Sequence, residues 1–93
     1  MKEAIAKEVA ENLVPSFLAI TDNSHLHAKH KGTTQKGNSH FKVSVCSDKF
    51  TNLTLVKRHQ LVNSICKMFF DQGMHALEIE ALTQQEWSKK YGQ

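Results

Sequence analysis

The chain has 93 residues, and its 12 lysine and arginine residues against nine acidic residues give a formal net charge of +3 at pH 7. This length is sufficient for one small domain with one modest core, which we assign to residues 1–93. A hydrophobic content of 40% with a single proline favours a folded chain over a disordered one. No apolar run approaches the roughly 20 residues that a membrane span requires, so we expect no membrane-spanning segment.

The positive charge is concentrated in residues 23–47. This stretch contains no acidic residue, and it carries four of the chain's lysines and four of its six histidines: Lys29, Lys31, Lys36, Lys42, His25, His27, His30 and His40. The remainder of the chain has eight basic and nine acidic residues. Any functional interpretation must therefore account for a local cationic, histidine-rich segment.

The cysteines predict a reducing compartment. Cys46 and Cys66 are too few for a disulfide framework, and they lack the Cys-x-x-Cys spacing of zinc and redox sites. We therefore expect two packed, structural thiols.

The first residues do not resemble a targeting signal. Acidic residues occur at Glu3, Glu8 and Glu11, whereas a secretory signal needs an uninterrupted apolar stretch and an organelle transit peptide avoids acidic residues. A cytoplasmic location is the expectation.

The first half of the chain predicts a helix and two strands. Ile5, Val9 and Leu13 recur every four residues, which is typical of an amphipathic helix that ends before Pro15. A short strand follows at residues 17–21.

Residues 22–39 are rich in loop formers and have no apolar periodicity. Phe41, Val43 and Val45 then alternate with polar neighbours, which indicates a half-buried strand. We expect the two strands to be antiparallel and to be joined by a loop far longer than a tight hairpin requires. Long loops in compact domains are often functional.

The second half predicts a helix, a strand and a final helix. The proposed apolar stripe of the first of these helices consists of Leu55, His59, Val62, Cys66 and Phe69. Thr54 is its expected N-cap, and Gly73 its expected left-handed terminator. The strand is predicted at 75–82, and Thr83 with Glu86 forms a capping box that opens the last helix.

The predicted fold is therefore α+β, with the element order α-β-β-α-β-α. Because a strand–helix–strand connection is right-handed, the third strand should lie parallel to the second. The expected architecture is a three-stranded mixed sheet with helices packed on one face.

The sequence contains no nucleophile elbow and no phosphate-binding glycine loop, so we expect a protein that is not an enzyme. Histidine is the one abundant reactive side chain, and imidazole serves either metal ligation or proton transfer. His27 and His30 lie in the predicted loop, where a solvated, partly cationic loop is the alternative interpretation. His75 lies at a strand entrance, where it binds a ligand or merely caps the strand.

Two further predictions concern the central helix. On spacing, His59 should be buried between helix and sheet. Lys57 and Arg58 should face solvent, although they could contact phosphate. No set of four zinc ligands can be assembled locally, so any metal site would need a partner.

Five segments, in order, resemble the BolA-like family over nearly the whole chain: SHFKV at 39–43, SDKF at 47–50, KRHQLV at 57–62, MHAL at 74–77 and EW at 86–87. The resemblance implies the α-β-β-α-β-α fold, similar to the class II K-homology fold. It also implies a protein that pairs with a monothiol glutaredoxin and shares a 2Fe–2S cluster with it. In that complex glutaredoxin and glutathione supply sulfur ligands.

The resemblance implies that His75 is one cluster ligand and that the loop between the first two strands supplies the other. The loop has no cysteine, so the chain resembles the histidine type of the family. His27, followed by alanine, best matches the family's loop histidine, and His40 and then His30 are the alternatives. Residues 29–36 match poorly. The chain also departs from the family at Gln60, where a third basic residue is usual, and at Asn52, where glycine is usual; asparagine tolerates the left-handed backbone.

The leading hypothesis is a non-enzymatic partner of a monothiol glutaredoxin that acts in iron–sulfur cluster trafficking or assembly and in iron homeostasis. We expect no cluster in the isolated chain. The alternative is a nucleic-acid-binding transcription regulator that uses Lys57, Arg58 and Lys67, although the Gly-x-x-Gly clamp of K-homology domains is missing. DNA and a second copy of the chain, in a weak homodimer, therefore remain alternative partners.

Overall fold

A computed structural model describes residues 1–24 and 39–92. In these residues the predicted element order is confirmed, with the central helix divided in two. The elements are α1 (Lys2–Leu13), β1 (Phe17–Asp22), β2 (His40–Cys46), a short 3-10 helix (Asp48–Phe50), α2 (Leu55–Ile65), α3 (Lys67–Asp71), β3 (Ala76–Leu82) and α4 (Gln84–Tyr91). No helix in these two described segments is long and apolar enough to cross a membrane.

The described strands form one mixed sheet in the order β1-β2-β3, as predicted. β1 is antiparallel to β2, with Ile20 opposite Val43. β3 is parallel to β2, and the register places Ala76 beside His40 and Ile79 beside Val43. The similarity of this arrangement to the class II K-homology fold stays a prediction.

One face of the sheet carries the core. Because side chains alternate along a strand, Phe41, Val43 and Val45 all project to the same side of β2. There they pack with buried residues of the helices and the 3-10 segment: Ile5, Val9, Leu13, Phe50, Val62, Cys66 and Phe69. The predicted burial of the α1 stripe is confirmed, and α1 ends at Leu13, where Val14 adopts a left-handed conformation (φ 43°) just before Pro15.

The prediction that all helices lie on one face is wrong. Phe17, Ser44 and Glu80 project from the face opposite the core, and α4 packs against them. The Trp87 ring lies 4.6 Å, between ring centroids, from that of Phe17, and the hydroxyl of Tyr91 donates a hydrogen bond to Glu80. The capping box at Thr83 starts α4 one residue after β3 ends, and the apolar Trp87 ring packs on Phe17 of this opposite face.

The predicted central helix is interrupted at Cys66, which has φ −95° and ψ 7°. There the amide of Phe69 donates to the carbonyl of Cys66, three residues earlier, at 2.9 Å. The interruption divides the segment into α2 and α3 and keeps both Cys66 and Phe69 buried.

The turn and cap residues behave as predicted. Thr54 caps α2 by accepting from the amide of Lys57, and Thr83 and Glu86 form the reciprocal capping box of α4. Asn52 has φ 67° and Gly73 has φ 114°, so both occupy the left-handed region that their residue types tolerate.

The predicted burial of two neighbouring residues on α2 is reversed. His59 is exposed and Leu55 is 62% exposed, whereas Arg58, expected to face solvent, is only 6% exposed. Its guanidinium donates to both oxygens of the Glu86 carboxylate, at 2.6 and 3.1 Å, and to the carbonyl of Ala81 at 3.1 Å. A buried cation is tolerated when a carboxylate and carbonyls satisfy it. This pair joins α2 to β3 and α4.

The Arg58–Glu86 pair predicts a pH-dependent stability. Hydrogen bonds from Arg58 and from the Thr83 amide lower the pKa of Glu86 from 4.5 to about 2. The resulting stabilisation is complete above pH 4.5 and is lost as the pH falls towards 2, because the unfolded chain binds the proton first. Glu86→Gln should lower the free energy of unfolding at pH 7 by about 1–2 kcal/mol, after allowance for the half-exposed carboxylate.

Urea unfolding at pH values from 7 to 2 provides the measurement. The gap between wild type and Glu86→Gln should close as the pH approaches 2. Glu11→Gln, at an exposed position of α1, is the matched control and should follow the wild-type curve. A gap of unchanged size at pH 2 would contradict the ionic role of Glu86.

Candidate metal centre

The structure brings together two of the histidines that the sequence singles out. His40 is the first residue of β2, and His75 directly precedes β3. Because Ala76 pairs with His40 in the parallel register, His75 lies at the same end of the sheet. The two ring centroids are 5.9 Å apart and the ring planes cross at 79°. His27 and His30 lie outside the described residues.

Ser39 contacts both histidines. Its carbonyl accepts hydrogen bonds from the amides of His75, at 2.7 Å, and Ala76, at 3.1 Å. Its hydroxyl is 2.9 Å from Nδ1 of His40. Ser39 itself is fully buried. One serine therefore holds the backbone of one histidine and the ring of the other.

Ser24 fixes the two ends of the connection between β1 and β2 to each other. Its buried hydroxyl oxygen accepts from the amides of Ser39, at 2.9 Å, and His40, at 3.1 Å. The amide of Ser24 in turn donates to Oδ1 of Asp22 at 2.9 Å. A buried backbone amide needs an acceptor, and this hydroxyl supplies one for two consecutive amides. Ser24 and Ser39 belong to the stretch 22–39, which the sequence marks only as rich in loop formers, so no role at the site was predicted for either.

The two imidazoles are near enough to each other for one bound group to contact both, since their ring centroids are 5.9 Å apart. His75 is exposed and His40 is half-buried, so the pair is accessible from outside. In residues 1–24 and 39–92 no group of three or more histidine, cysteine or acidic side chains could hold a metal. Within the described residues the two histidines could supply at most two ligands, so a metal bound here would need further ligands from elsewhere.

The cysteines lie apart from this pair and are buried with free thiols, as predicted for structural positions. Burial, with a contribution from Glu8, raises the pKa of Cys66 to about 11. A thiol with so high a pKa stays protonated at neutral pH and is a poor metal ligand. Cys46 lies under α4, where Ser16 donates to its sulfur.

The three residues considered for nucleic-acid binding do not form one cationic surface. Lys57 and Lys67 are exposed, and Lys67 forms an ion pair with Asp71 at 3.4 Å. Arg58 is buried and bound to Glu86, because its fork of donors matches the carboxylate. Lys57 and Arg58 were both expected to face solvent, but of the two Lys57 alone is exposed.

The Ser24 contacts predict a local effect at the histidine pair. In Ser24→Ala the amides of Ser39 and His40 lose their common acceptor, so the free energy of unfolding should fall by about 1–3 kcal/mol. Hydrogen exchange at both amides should accelerate more than elsewhere in the sheet. Ser64→Ala, which removes an exposed hydroxyl on α2, is the control. Unchanged amide protection at His40 would disprove the anchoring role of Ser24.

Comparison with known proteins places this chain and its fold in a family. The family model for BolA-like protein matches residues 9–86. A BolA-like protein of Dictyostelium discoideum is 40% identical over 90 residues, which cover 96% of this chain and 72% of that protein. The DNA-binding transcriptional regulator BolA of Vibrio cholerae is 35% identical over 89 residues, covering 96% of this chain and 80% of the regulator.

Solved structures agree with these relatives. BolA1 from Arabidopsis thaliana superposes with a TM-score of 0.82 at 34% identity, over 92% of this chain and 94% of that one. The BolA domain of SufE1 from the same plant gives a TM-score of 0.82 at 34% identity, over 91% and 93% of the two chains. With its family match, its relatives and its fold in agreement, the chain belongs to the BolA-like protein family.

Proposed function

We propose that this chain is a non-enzymatic partner of a monothiol glutaredoxin and shares a 2Fe–2S cluster with it and with glutathione. The observation that carries the proposal is the His40–His75 pair, which is accessible and is an incomplete ligand set. Membership of the BolA-like family supports it. The function would be iron–sulfur cluster trafficking or assembly and iron homeostasis. We propose a cytoplasmic location, in keeping with the two free cysteines.

The chemistry of the donors suits a shared cluster. Imidazole in place of thiolate makes the ligand set less negative and raises the reduction potential of a 2Fe–2S centre. His75 would be one ligand, held at its backbone by the carbonyl of Ser39. The lysines of residues 23–47 would attract both the anionic cluster and the carboxylates of glutathione.

The second ligand would be a histidine from the connection between β1 and β2 or from its end. The family resemblance favours His27, with His30 as a weaker candidate. The geometry of the described residues favours His40, because its ring lies beside that of His75. The hydroxyl of Ser39 at Nδ1 would then orient the ring, as outer partners of metal-bound histidines commonly do.

The proposal predicts that His75→Ala changes the cluster formed with glutaredoxin. The two proteins are mixed with iron, sulfide and glutathione, and visible absorption and circular dichroism are recorded. Wild type should give a spectrum distinct from that of glutaredoxin alone, and His75→Ala should lose this difference, because one nitrogen ligand is gone. His59→Ala, an exposed histidine on α2, is the matched control and should behave as wild type.

The same measurement on His27→Ala, His30→Ala and His40→Ala identifies the second ligand as the variant that reproduces the His75→Ala spectrum. Magnetic coupling to nitrogen, measured on the reduced cluster, should weaken in that variant and in His75→Ala. A His75→Ala complex with the wild-type spectrum and cluster lifetime would refute the ligand assignment.

A second candidate function is DNA binding in transcription regulation. Relatives from Vibrio cholerae and Haemophilus influenzae are named DNA-binding transcriptional regulators, and they are 35% and 32% identical to this chain. The side chains that could reach phosphate on α2 and α3 are Lys57 and Lys67, both exposed. Arg58 supports this function less, since its guanidinium is bound to Glu86.

Phosphate recognition by these two lysines predicts a salt-dependent affinity. Two phosphate contacts should give a slope of about −2 for the logarithm of the binding constant against that of the salt concentration. Lys57→Ala should make the slope less steep by about one. Fluorescence anisotropy with a labelled duplex measures both quantities. An affinity independent of salt would exclude this function for α2 and α3.

A further inference from the structure

A cavity of about 410 Å³ lies on the outer face of the sheet, beside α4. It is lined by Phe17, Ala19, Ser44, Glu80, Trp87 and Tyr91. The strand register explains why it exists. Ala19, Ser44 and Glu80 lie side by side across the three strands. Because Ala19 and Ser44 have small side chains, they leave space between the sheet and α4.

The wall of the cavity is aromatic. The ring centroid of Trp87 is 4.6 Å from that of Phe17 and 4.6 Å from that of Tyr91. The three rings therefore form one continuous apolar surface, which runs from β1 along the length of α4. Such a surface binds aliphatic groups through burial, and aromatic faces attract cations.

The carboxylate of Glu80 supplies the charge. Its side chain is only 13% exposed, and hydrogen bonds from Lys90 and Tyr91 lower its pKa to about 2, so it is ionised at neutral pH. The hydroxyl of Tyr91 donates to Oε2 at 2.6 Å. A half-buried, ionised carboxylate beside aromatic rings favours a cation.

The chain itself places a cation at this carboxylate. The ammonium of Lys90 contacts Oε2 of Glu80 and lies 5.3 Å from the centroid of the Tyr91 ring. The side chain of Lys90 is 57% exposed, so it approaches Glu80 from the solvent side. A cation that enters the cavity therefore competes with Lys90 for Glu80, and the exposed Lys90 side chain can move outwards into solvent.

We propose that this cavity binds an organic cation that consists of an aliphatic chain with a terminal ammonium group. The aliphatic part lies against Phe17, Trp87 and Tyr91, and the ammonium replaces that of Lys90 at Glu80. Both a free alkylamine and a lysine side chain of another protein have this chemistry. The site lies four residues along β2 from His40 and does not depend on the proposed cluster.

The chain carries its own optical probe of the cavity, since Trp87 is its single tryptophan and Tyr91 its single tyrosine. The experiment titrates the full chain with n-butylammonium chloride at constant ionic strength and records tryptophan emission and amide NMR shifts. We expect a saturable change with shifts centred on Ala19, Ser44 and Trp87. The neutral isostere 1-butanol should bind about tenfold more weakly.

Variants with opposite expected effects test the assignment. Glu80→Gln should weaken n-butylammonium binding about tenfold, whereas Lys90→Met should strengthen it by removing the internal competitor. Ala19→Leu should abolish binding by filling the floor. Glu78→Gln, an acid on the same face of β3 outside the cavity, is the control and should bind as wild type. Urea unfolding confirms that each variant is folded.

Three results would overturn the proposal: equal affinity for 1-butanol, which would indicate a purely apolar site; wild-type affinity in Ala19→Leu; or weaker binding in Lys90→Met. A parallel titration with Nα-acetyl-lysine methylamide identifies the source of the ligand. An affinity equal to or higher than that of n-butylammonium assigns the site to a protein side chain. A lower affinity assigns it to a free amine.

Discussion

The parallel pairing of β2 with β3 is the constraint on which both sites depend. At one end it sets Ala76 beside His40, and so brings the imidazole of His75 to that of His40. Further along, the same register sets Glu80 beside Ser44. A shift of one residue would move every side chain of β3 to the opposite face. The same shift would therefore separate His40 from His75, break the row of residues under α4 and remove Ile79 from the core.

Elements on both sides of the sheet hold this register. On the core face of the sheet, α2 and the core residues pack against β3. Arg58 reaches from α2 to the carbonyl of Ala81 and to Glu86 at the start of α4, so one buried side chain ties the end of β3 to helices on opposite faces. At the other end, the carbonyl of Ser39 binds the amides that lead into β3. Polar contacts thus fix both ends of β3, and apolar packing holds its middle.

Local signals in the sequence were reliable where local physics decides. The α1 stripe, the alternation of β2 and the caps at Thr54 and Thr83 were predicted from neighbours in the chain, and the structure confirms them. The left-handed backbone at Asn52 was expected from the family resemblance and is also confirmed. The predictions that His59 is buried and Arg58 exposed were wrong, because hydropathy takes no account of a distant carboxylate. The prediction that all helices lie on one face of the sheet was wrong for a similar reason, since Trp87 packs on Phe17, which lies seventy positions earlier.

The sequence by itself determined the element order, the mixed sheet and the family, because periodicity, caps and motif spacing are patterns of consecutive residues. Only the tertiary structure decided that His40 lies beside His75, that Ser24 and Ser39 anchor both, and that a cavity with an ionised Glu80 lies beside α4. These depend on the strand register and on the face that α4 covers. Both are set by contacts between residues far apart in the chain, and no local pattern encodes them.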